Sequence, residues 1–220
     1  MPPPAPTFEA AVARVEAALA ARPPRALAVE GFRRAAVLVP LLSRPAGPAL
    51  LFTRRSLALP HHRGEISFPG GGLAPGEAPE AGALREAREE IGLAPGAVRC
   101  LGRLDDVVSV ARFVVTPVVA AVASPPAAFT AADGEVEEAF ELPLARLLDP
   151  AVRRATLWDP GRLPPELAAA LREARVDLED VDGETGHLRI WSFHADEARV
   201  VWGLTGRMLA ELLDRCFAPG

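Results

Sequence analysis

Three glutamates, Glu86, Glu89 and Glu90, crowd the stretch REAREEIGL, which runs from Arg85 to Leu93. On a helix these positions are related by i, i+3 and i+4, so the carboxylates converge on one side. Leu84, Ala87 and Ile91 form a second stripe, which can face a core. Neighbouring like charges destabilise a helix by a few tenths of a kcal/mol per pair, and Arg85 offsets part of this through Glu89, four residues on. A cluster kept despite its repulsion points to an outside cation. Hard carboxylate oxygens suit Mg²⁺ or Mn²⁺ better than Zn²⁺, which recruits His or Cys. A solvated acidic face has the same pattern, so these three residues alone leave both readings open.

The residues just before add a second kind of chemistry. Phe68-Pro69-Gly70-Gly71-Gly72 closes a short strand in a glycine run. Glycines let a backbone approach a ligand closely and let a carbonyl turn toward a cation. Strand, glycine loop and carboxylate helix together make a metal–phosphate site, since Mg²⁺ is commonly held by one or two carboxylates plus substrate phosphates.

Those groups need elements to hold them. The carboxylate helix is expected over roughly Pro79 to Ile91: Pro79 suits a first turn and Gly92 the position past the end, although Ala78 is a poor N-cap. Ile66 to Gly72 reads as one short strand. Ala35 to Leu42 reads as a strand, with Ala49 to Thr53 as its hairpin partner. Further strands are expected over Val98–Val108, Phe113–Val122, Glu135–Leu142 and His187–Phe193, with a helical turn at Leu144–Leu148. Helices are expected over Phe8–Ala21, Leu163–Arg175 and Val201–Phe217. The order lacks a βαβ regularity. It predicts an α/β fold with a mixed sheet between helices rather than a doubly wound parallel sheet.

Composition narrows the classes. A chain of 220 residues with half of them apolar suits one domain with a sizeable core. All 24 basic residues are Arg, and the net charge of −5 argues against a general nucleic-acid binder. No run of about 18 apolar residues suggests a membrane span. The N-terminus lacks a basic stretch leading into an apolar one, so a cytoplasmic protein is the default expectation. Cys100 and Cys216 sit in apolar contexts and read as two reduced core thiols.

With spacing included, Gly71, Glu77, Arg85-Glu86-Ala87, Glu89-Glu90 and Gly92-Leu93 resemble the complete signature of the Nudix hydrolases. Ala87 stands where a larger aliphatic is often seen. Upstream, LFTRRSLALPHHRGEISFPGG, Leu51 to Gly71, resembles the motif of the coenzyme A pyrophosphatases within that family. The matching positions are Leu51, Thr53, Arg55, Ser56, Gly64, Phe68, Pro69, Gly70 and Gly71, with His62 in the run before Gly64. One departure stands out: Pro60 replaces an expected Arg. The resemblance extends through Val107–Val119 and Val201–Leu209 and is weakest from Trp158 to Gly186.

The resemblance implies a Nudix-type α/β/α sandwich over residues 1–220, with a core at about 33–150 completed by the N-terminal helix and a C-terminal extension. It implies Mg²⁺- or Mn²⁺-dependent hydrolysis of a nucleoside diphosphate derivative. Coenzyme A or acyl-coenzyme A is the expected substrate, giving 4′-phosphopantetheine (or its acyl form) and adenosine 3′,5′-bisphosphate. By matching position, Glu86 and Glu90 are the main metal ligands, Glu89 a further ligand or the base, and the Gly70 carbonyl another ligand. Glu77 and Arg85 pair to lock the loop on the helix. Glu135 is the candidate for a further ligand or base from a later loop. Arg54 or Arg55 would contact phosphates, beside His62 and Gly71. Two alternatives stay open: another substrate, such as ADP-ribose or a dinucleotide, and a non-catalytic ligand-sensing module. The partner is a small molecule, with no nucleic acid and no membrane, and the assembly is a monomer or a homodimer.

Overall fold

The computed structural model describes residues 6–56, 64–109, 111–132, 134–158, 178–180, 186–196 and 198–218. The first element is α1 (Phe8–Ala21), whose Thr7 hydroxyl accepts from the Ala10 N–H at 3.2 Å and caps the helix. Its Ala11, Val12, Val15 and Leu19 are buried, a single helical stripe. There follow β1 (Arg33–Leu42), β2 (Ala49–Arg55), β3 (Ile66–Ser67), β4 (Gly70–Gly72) and α2 (Pro79–Ile91). Then come β5 (Arg99–Arg103), β6 (Val107–Val108), β7 (Phe113–Val122), β8 (Val136–Pro143) and the short α3 (Leu144–Leu147). The last elements are β9 (Arg153–Trp158), β10 (Leu178–Asp180), β11 (Gly186–His194), β12 (Val200–Trp202) and α4 (Gly203–Phe217).

The larger sheet runs β3-β2-β1-β7-β5, with β4 also on β1, β6 on β7 and β8 on β2. It is mixed. β1 and β7 are parallel along their whole lengths, Arg33 opposite Phe113 through Leu42 opposite Val122, and the other pairs are antiparallel. A central parallel pair needs cover on both faces, and both strands are accordingly near-continuous apolar runs. Alternation sends their side chains two ways. Ala36, Leu38, Leu42, Leu51, Val118, Ala120 and Val122 meet Ala83, Ala87 and Ile91 of α2. On the other face Ala35, Val39, Leu41, Leu50 and Phe52 share a core with residues of α1 and α4. The fold is therefore an α/β/α sandwich with a mixed sheet between helices.

A second, smaller sheet orders β10-β11-β12 with β9 on β11. The helix α4 lies so close to it that a Cβ on Gly206 would stand 2.4 Å from the Trp191 carbonyl oxygen.

Some boundaries differ from the sequence expectations, each for a local reason. Ile66–Gly72 is two strands, not one: Pro69 has no N–H, its carbonyl accepts from Leu38 at 2.8 Å, and the chain crosses from pairing with β2 to pairing with β1. Val98–Val108 breaks after a bulge between Cys100 and Gly102, where Asp105 and Asp106 turn to hydrogen-bond the 25–27 segment. Val201 and Trp202 belong to β12, not to the last helix, which begins at Gly203 with φ 63. Cys100 is exposed, so only Cys216 is a core thiol; burial pushes the Cys216 thiol up to about 11. The expected helix over Leu163–Arg175 lies outside the described residues. Among the described residues, no helix is long and apolar enough to cross a membrane.

Gly206→Ala should destabilise the protein by about 1–3 kcal/mol despite its better helix propensity, because the added carbon meets backbone rather than a movable side chain. Gly96→Ala, where nothing lies within 4 Å, should change stability by less than about 0.5 kcal/mol. Urea unfolding of both variants checks the contrast.

Candidate active site

The site is built where β4 runs into α2. A Cβ at Gly70 would stand 2.4 Å from the Ala36 carbonyl oxygen, so only glycine lets β4 approach β1 this closely. From that position the Gly70 N–H donates to Glu90 Oε2 at 3.0 Å. One residue on, a Cβ at Gly71 would lie 2.5 Å from the carboxylate of Glu86. Gly71 thus leaves the space that the Glu86 carboxylate occupies, and Gly70 brings its N–H to Glu90.

The loop between β4 and α2 is held by one guanidinium. Arg85 donates from Nε to Glu77 Oε1 at 2.9 Å and from Nη2 to Glu77 Oε2 at 3.0 Å. Its Nη2 also reaches the Gly72 carbonyl at 3.1 Å, and its Nη1 reaches Glu86 at 2.7 Å and Glu89 at 3.3 Å. Glu77 further accepts from the Ala74 N–H at 2.9 Å. The Arg85 fork, with the Ala74 N–H, holds the Glu77 carboxyl down at about 2. The pairing expected for Glu77 and Arg85 is present. At Gly82, where α2 passes the loop, a Cβ would stand 2.1 Å from Leu73 Cδ2, so the Leu73 side chain would have to shift.

The three glutamates do not share one environment. Glu90 is 6% exposed, the Glu86 side chain is 18% exposed, and the Glu89 side chain is 59% exposed. The sequence expectation that all three converge is therefore too simple: Glu90 faces the sheet and Glu89 faces solvent. Among the described residues, no three His, Cys or carboxylate groups stand as a ready-made ligand set. Burial raises the Glu90 carboxyl to about 7; the Gly70 N–H opposes this, Glu86 and Glu135 add to it, and Arg55 opposes it. Glu86, Glu135 and Arg55 thus all act on Glu90 through space.

Glu135 is exposed, just before β8. Its carbonyl accepts from Ser56 at 2.9 Å, which joins it to the end of β2. The loop before it is docked on α2 by the Ala132 N–H, which donates to the Glu90 carbonyl at 2.8 Å. Strand alternation, with a bulge between them, separates Arg54 from Arg55. Arg54 pairs with Glu138 at 3.2 Å and donates to the Ala198 carbonyl at 3.1 Å, toward the smaller sheet. Arg55 lies in the field of Glu90, and its buried Nε has no hydrogen-bond acceptor among the described residues. Pro60, His61 and His62 lie outside the described residues.

Sequence reasoning assigned no role to Glu138. In the structure it is bridged by Arg54 and by Arg199, whose Nη2 lies 3.2 Å from Glu138 Oε2. The one signal that could have found it is its position opposite Arg54 in the β2–β8 register.

Residues 32–162 match a family model described as the NUDIX domain. The chain belongs to the Nudix family. It is 37% identical over 182 residues to an uncharacterized Nudix hydrolase NudL of Cronobacter sakazakii, covering 82% of this chain and 81% of that one. The NudL protein of Escherichia coli K12 is 36% identical over the same length and coverage. Among solved structures, a C. elegans Ap4A hydrolase binary complex aligns with a TM-score of 0.44 and 20% identity, covering 64% of this chain and 93% of that one. The protein is thus a Nudix hydrolase, an enzyme acting on the diphosphate of a small nucleoside diphosphate derivative. Nudix hydrolases generally use divalent metal ions.

The buried Glu90 carboxyl of this Nudix hydrolase sets a pH dependence. Its folded pKa of about 7 lies above the ordinary 4.5, so the folded chain binds the extra proton between those values. The stability this contributes is full below pH 4.5 and is lost as pH rises through about 7. At about 1.4 kcal/mol per unit, the loss is on the order of 3 kcal/mol. In EDTA, Glu90→Gln should be more stable relative to the parent at pH 8 than at pH 5, as read from urea midpoints at both values.

Proposed function

We propose that this Nudix hydrolase cleaves the diphosphate of coenzyme A or acyl-coenzyme A, giving 4′-phosphopantetheine (or its acyl form) and adenosine 3′,5′-bisphosphate. The observation that carries the diphosphate reading is the half-buried Arg55, its Nε shut off from solvent, in the field of the buried Glu90 carboxylate. A cationic fork beside a carboxylate cluster suits a ligand that carries phosphate oxygens and shares a cation with the protein. The coenzyme A part rests on the resemblance of Leu51–Gly71 to the motif of those pyrophosphatases.

The donor set fits Mg²⁺ or Mn²⁺. It is all oxygen, and a carboxyl raised to about 7 by burial beside other carboxylates is one that a cation would stabilise as the anion. Glu86, Glu90, the Gly70 carbonyl and, after a side-chain turn, Glu89 would hold it. When bound, the ion neutralises diphosphate charge and makes water more acidic.

The chain's own residues supply the rest. The guanidinium of Arg55 would accept the diphosphate in a bidentate grip, with the backbone at Gly71 close by. Glu135, exposed and anchored to the end of β2, would take the proton of the attacking water; Glu89 is the alternative base. Water oxygen bonds to one phosphorus, the bond to the bridging oxygen breaks, and the other phosphate leaves with the electron pair. Glu77 touches none of these atoms and acts through Arg85, which keeps the carboxylates in place.

A substrate panel with Mg²⁺ and with Mn²⁺, read by product mass, tests the reading. Coenzyme A should yield the two named products; cleavage of ADP-ribose with coenzyme A left intact would reject the substrate while keeping the reaction. Glu90→Gln should abolish turnover while the protein stays folded. Arg55→Ala should lower kcat/KM about 10- to 100-fold, the scale of a lost charge-assisted hydrogen bond, and Arg54→Ala should cost much less. Pro60→Arg should leave the products unchanged and lower KM.

A further inference from the structure

Among the groups proposed for the chemistry, Glu135 has the least to hold it. Glu86 and Glu90 stand on α2 and Arg55 ends β2, whereas Glu135 closes the 123–135 loop between β7 and β8. It is exposed, and among the described residues no hydrogen bond or ion pair fixes its carboxylate. The backbone of its loop therefore decides where that carboxylate stands.

The loop has few anchors of its own. From Ala123 to Ala132 it reads ASPPAAFTAA, and Phe129 is its one large apolar side chain. Pro125 and Pro126 bring no N–H to bond. A segment with so few buried contacts opens at small cost unless something ties it down. Phe129 does this: it is half-buried and packs against the core beneath α2, the cluster that holds Leu42, Ile91, Leu93 and Val122. The Arg44 guanidinium, clamped by the two Glu141 oxygens at 2.9 Å and 2.5 Å, lies 6.0 Å from the ring centroid.

From the docked ring the chain runs along the end of α2. A Cβ on Gly92 would stand 3.8 Å from the Thr130 Cβ. The Ala132 N–H then donates to the Glu90 carbonyl at 2.8 Å. That carbonyl is among the last four of α2, which have no acceptor role inside the helix, so the loop satisfies the helix end as the helix end holds the loop. The Ala132 carbonyl in turn accepts from the Glu135 N–H at 3.4 Å and from the Val136 N–H at 3.2 Å, which closes the turn that presents Glu135. Ala132 is three residues from the ring and three from Glu135, too short a span to absorb a shift of the anchor.

We propose that Phe129 is a positioning residue for the hydrolysis: its ring, docked on the core beneath α2, sets the loop that carries Glu135 and so places that carboxylate against the attacking water. Phe129 touches neither substrate nor cation and acts only through Glu135. The proposal rests on Glu135 being the base; it does not depend on coenzyme A being the substrate.

The test is a double-mutant cycle in the full chain with Mg²⁺, on coenzyme A, or on ADP-ribose if the panel rejects coenzyme A. Phe129→Ala should lower kcat about tenfold and leave KM within about twofold, because a displaced base loses rate while the groups that hold the diphosphate stay in place. Phe129→Leu, which refills most of the space, should return kcat to within about twofold of the parent. Glu135→Gln should lower kcat about 100-fold, and adding Phe129→Ala to it should cost less than about twofold more. Urea midpoints show that each variant is folded under assay conditions; if Phe129→Ala is not, Phe129→Val takes its place in the cycle. A full tenfold loss on top of Glu135→Gln would mean that Phe129 acts through α2 and would overturn the proposal while leaving the base in place. So would parental kcat in Phe129→Ala, or a Leu variant as slow as the Ala variant. Parental turnover in Glu135→Gln would make Glu89 the base, rejecting the reading of Glu135 and the proposal with it.

Discussion

A carboxylate taken out of water needs compensation, and in this protein that carboxylate is Glu90. Its carboxyl is tucked between α2 and the sheet, with one backbone N–H from Gly70 as its named hydrogen-bond donor. The surrounding architecture follows from that placement. Gly70 must be glycine for β4 to lie on β1 at that depth, and Gly71 for Glu86 to fit beside it. Ala83 and Ala87 must be small enough for α2 to lie on Ala36, Leu38 and Val118. The 130–132 loop closes over the end of α2 through the Glu90 carbonyl, and so brings Glu135 toward the same place. The Glu90 carboxyl, raised to about 7 without a cation, reflects a site built for a charge that the side chains alone do not balance.

The second constraint is repulsion among the carboxylates. Arg85 answers it by making five contacts with three glutamates and the Gly72 carbonyl. Its strongest commitment is to Glu77, which lies outside the cluster, and that fixes the guanidinium before it meets Glu86 and Glu89. A planar fork with several donors can do this; an ammonium cannot. Glu77 and Arg85 thus hold the loop on the helix, which leaves Glu86, Glu89 and Glu90 to the chemistry proposed for them.

Much of this was legible residue by residue, and the misses have physical causes. Helices α1 and α2 and strand β7 lie where periodicity and end signals put them, because each buries one regular stripe or a continuous run. The break at Pro69 was signalled by the missing N–H but not by which neighbour each half would pair with, which depends on strands distant in sequence. The same holds at Val201–Trp202, where an apolar start to a helix turned out to be an edge of the smaller sheet. Cys100 lies between Val98 and Leu101 in the chain yet is exposed, because β5 is an edge strand with no fully buried residue.

The sequence by itself determined the reaction class, since the spacing from Gly71 through Glu77 to Glu90 is a property of one local strand–loop–helix unit. It also determined the arginine that locks that unit, because Arg85 and Glu77 are close in the chain. Only the tertiary structure decided which glutamate is buried, that Arg55 rather than Arg54 shares the field of Glu90, and that Glu138 is tied to a second sheet. Those outcomes depend on strand register, the bulge after Arg54 and the approach of β12, all set by contacts between residues far apart in sequence. Local spacing carries no record of such contacts, which is why the chemistry could be read before the fold and the division of labour among its charges could not.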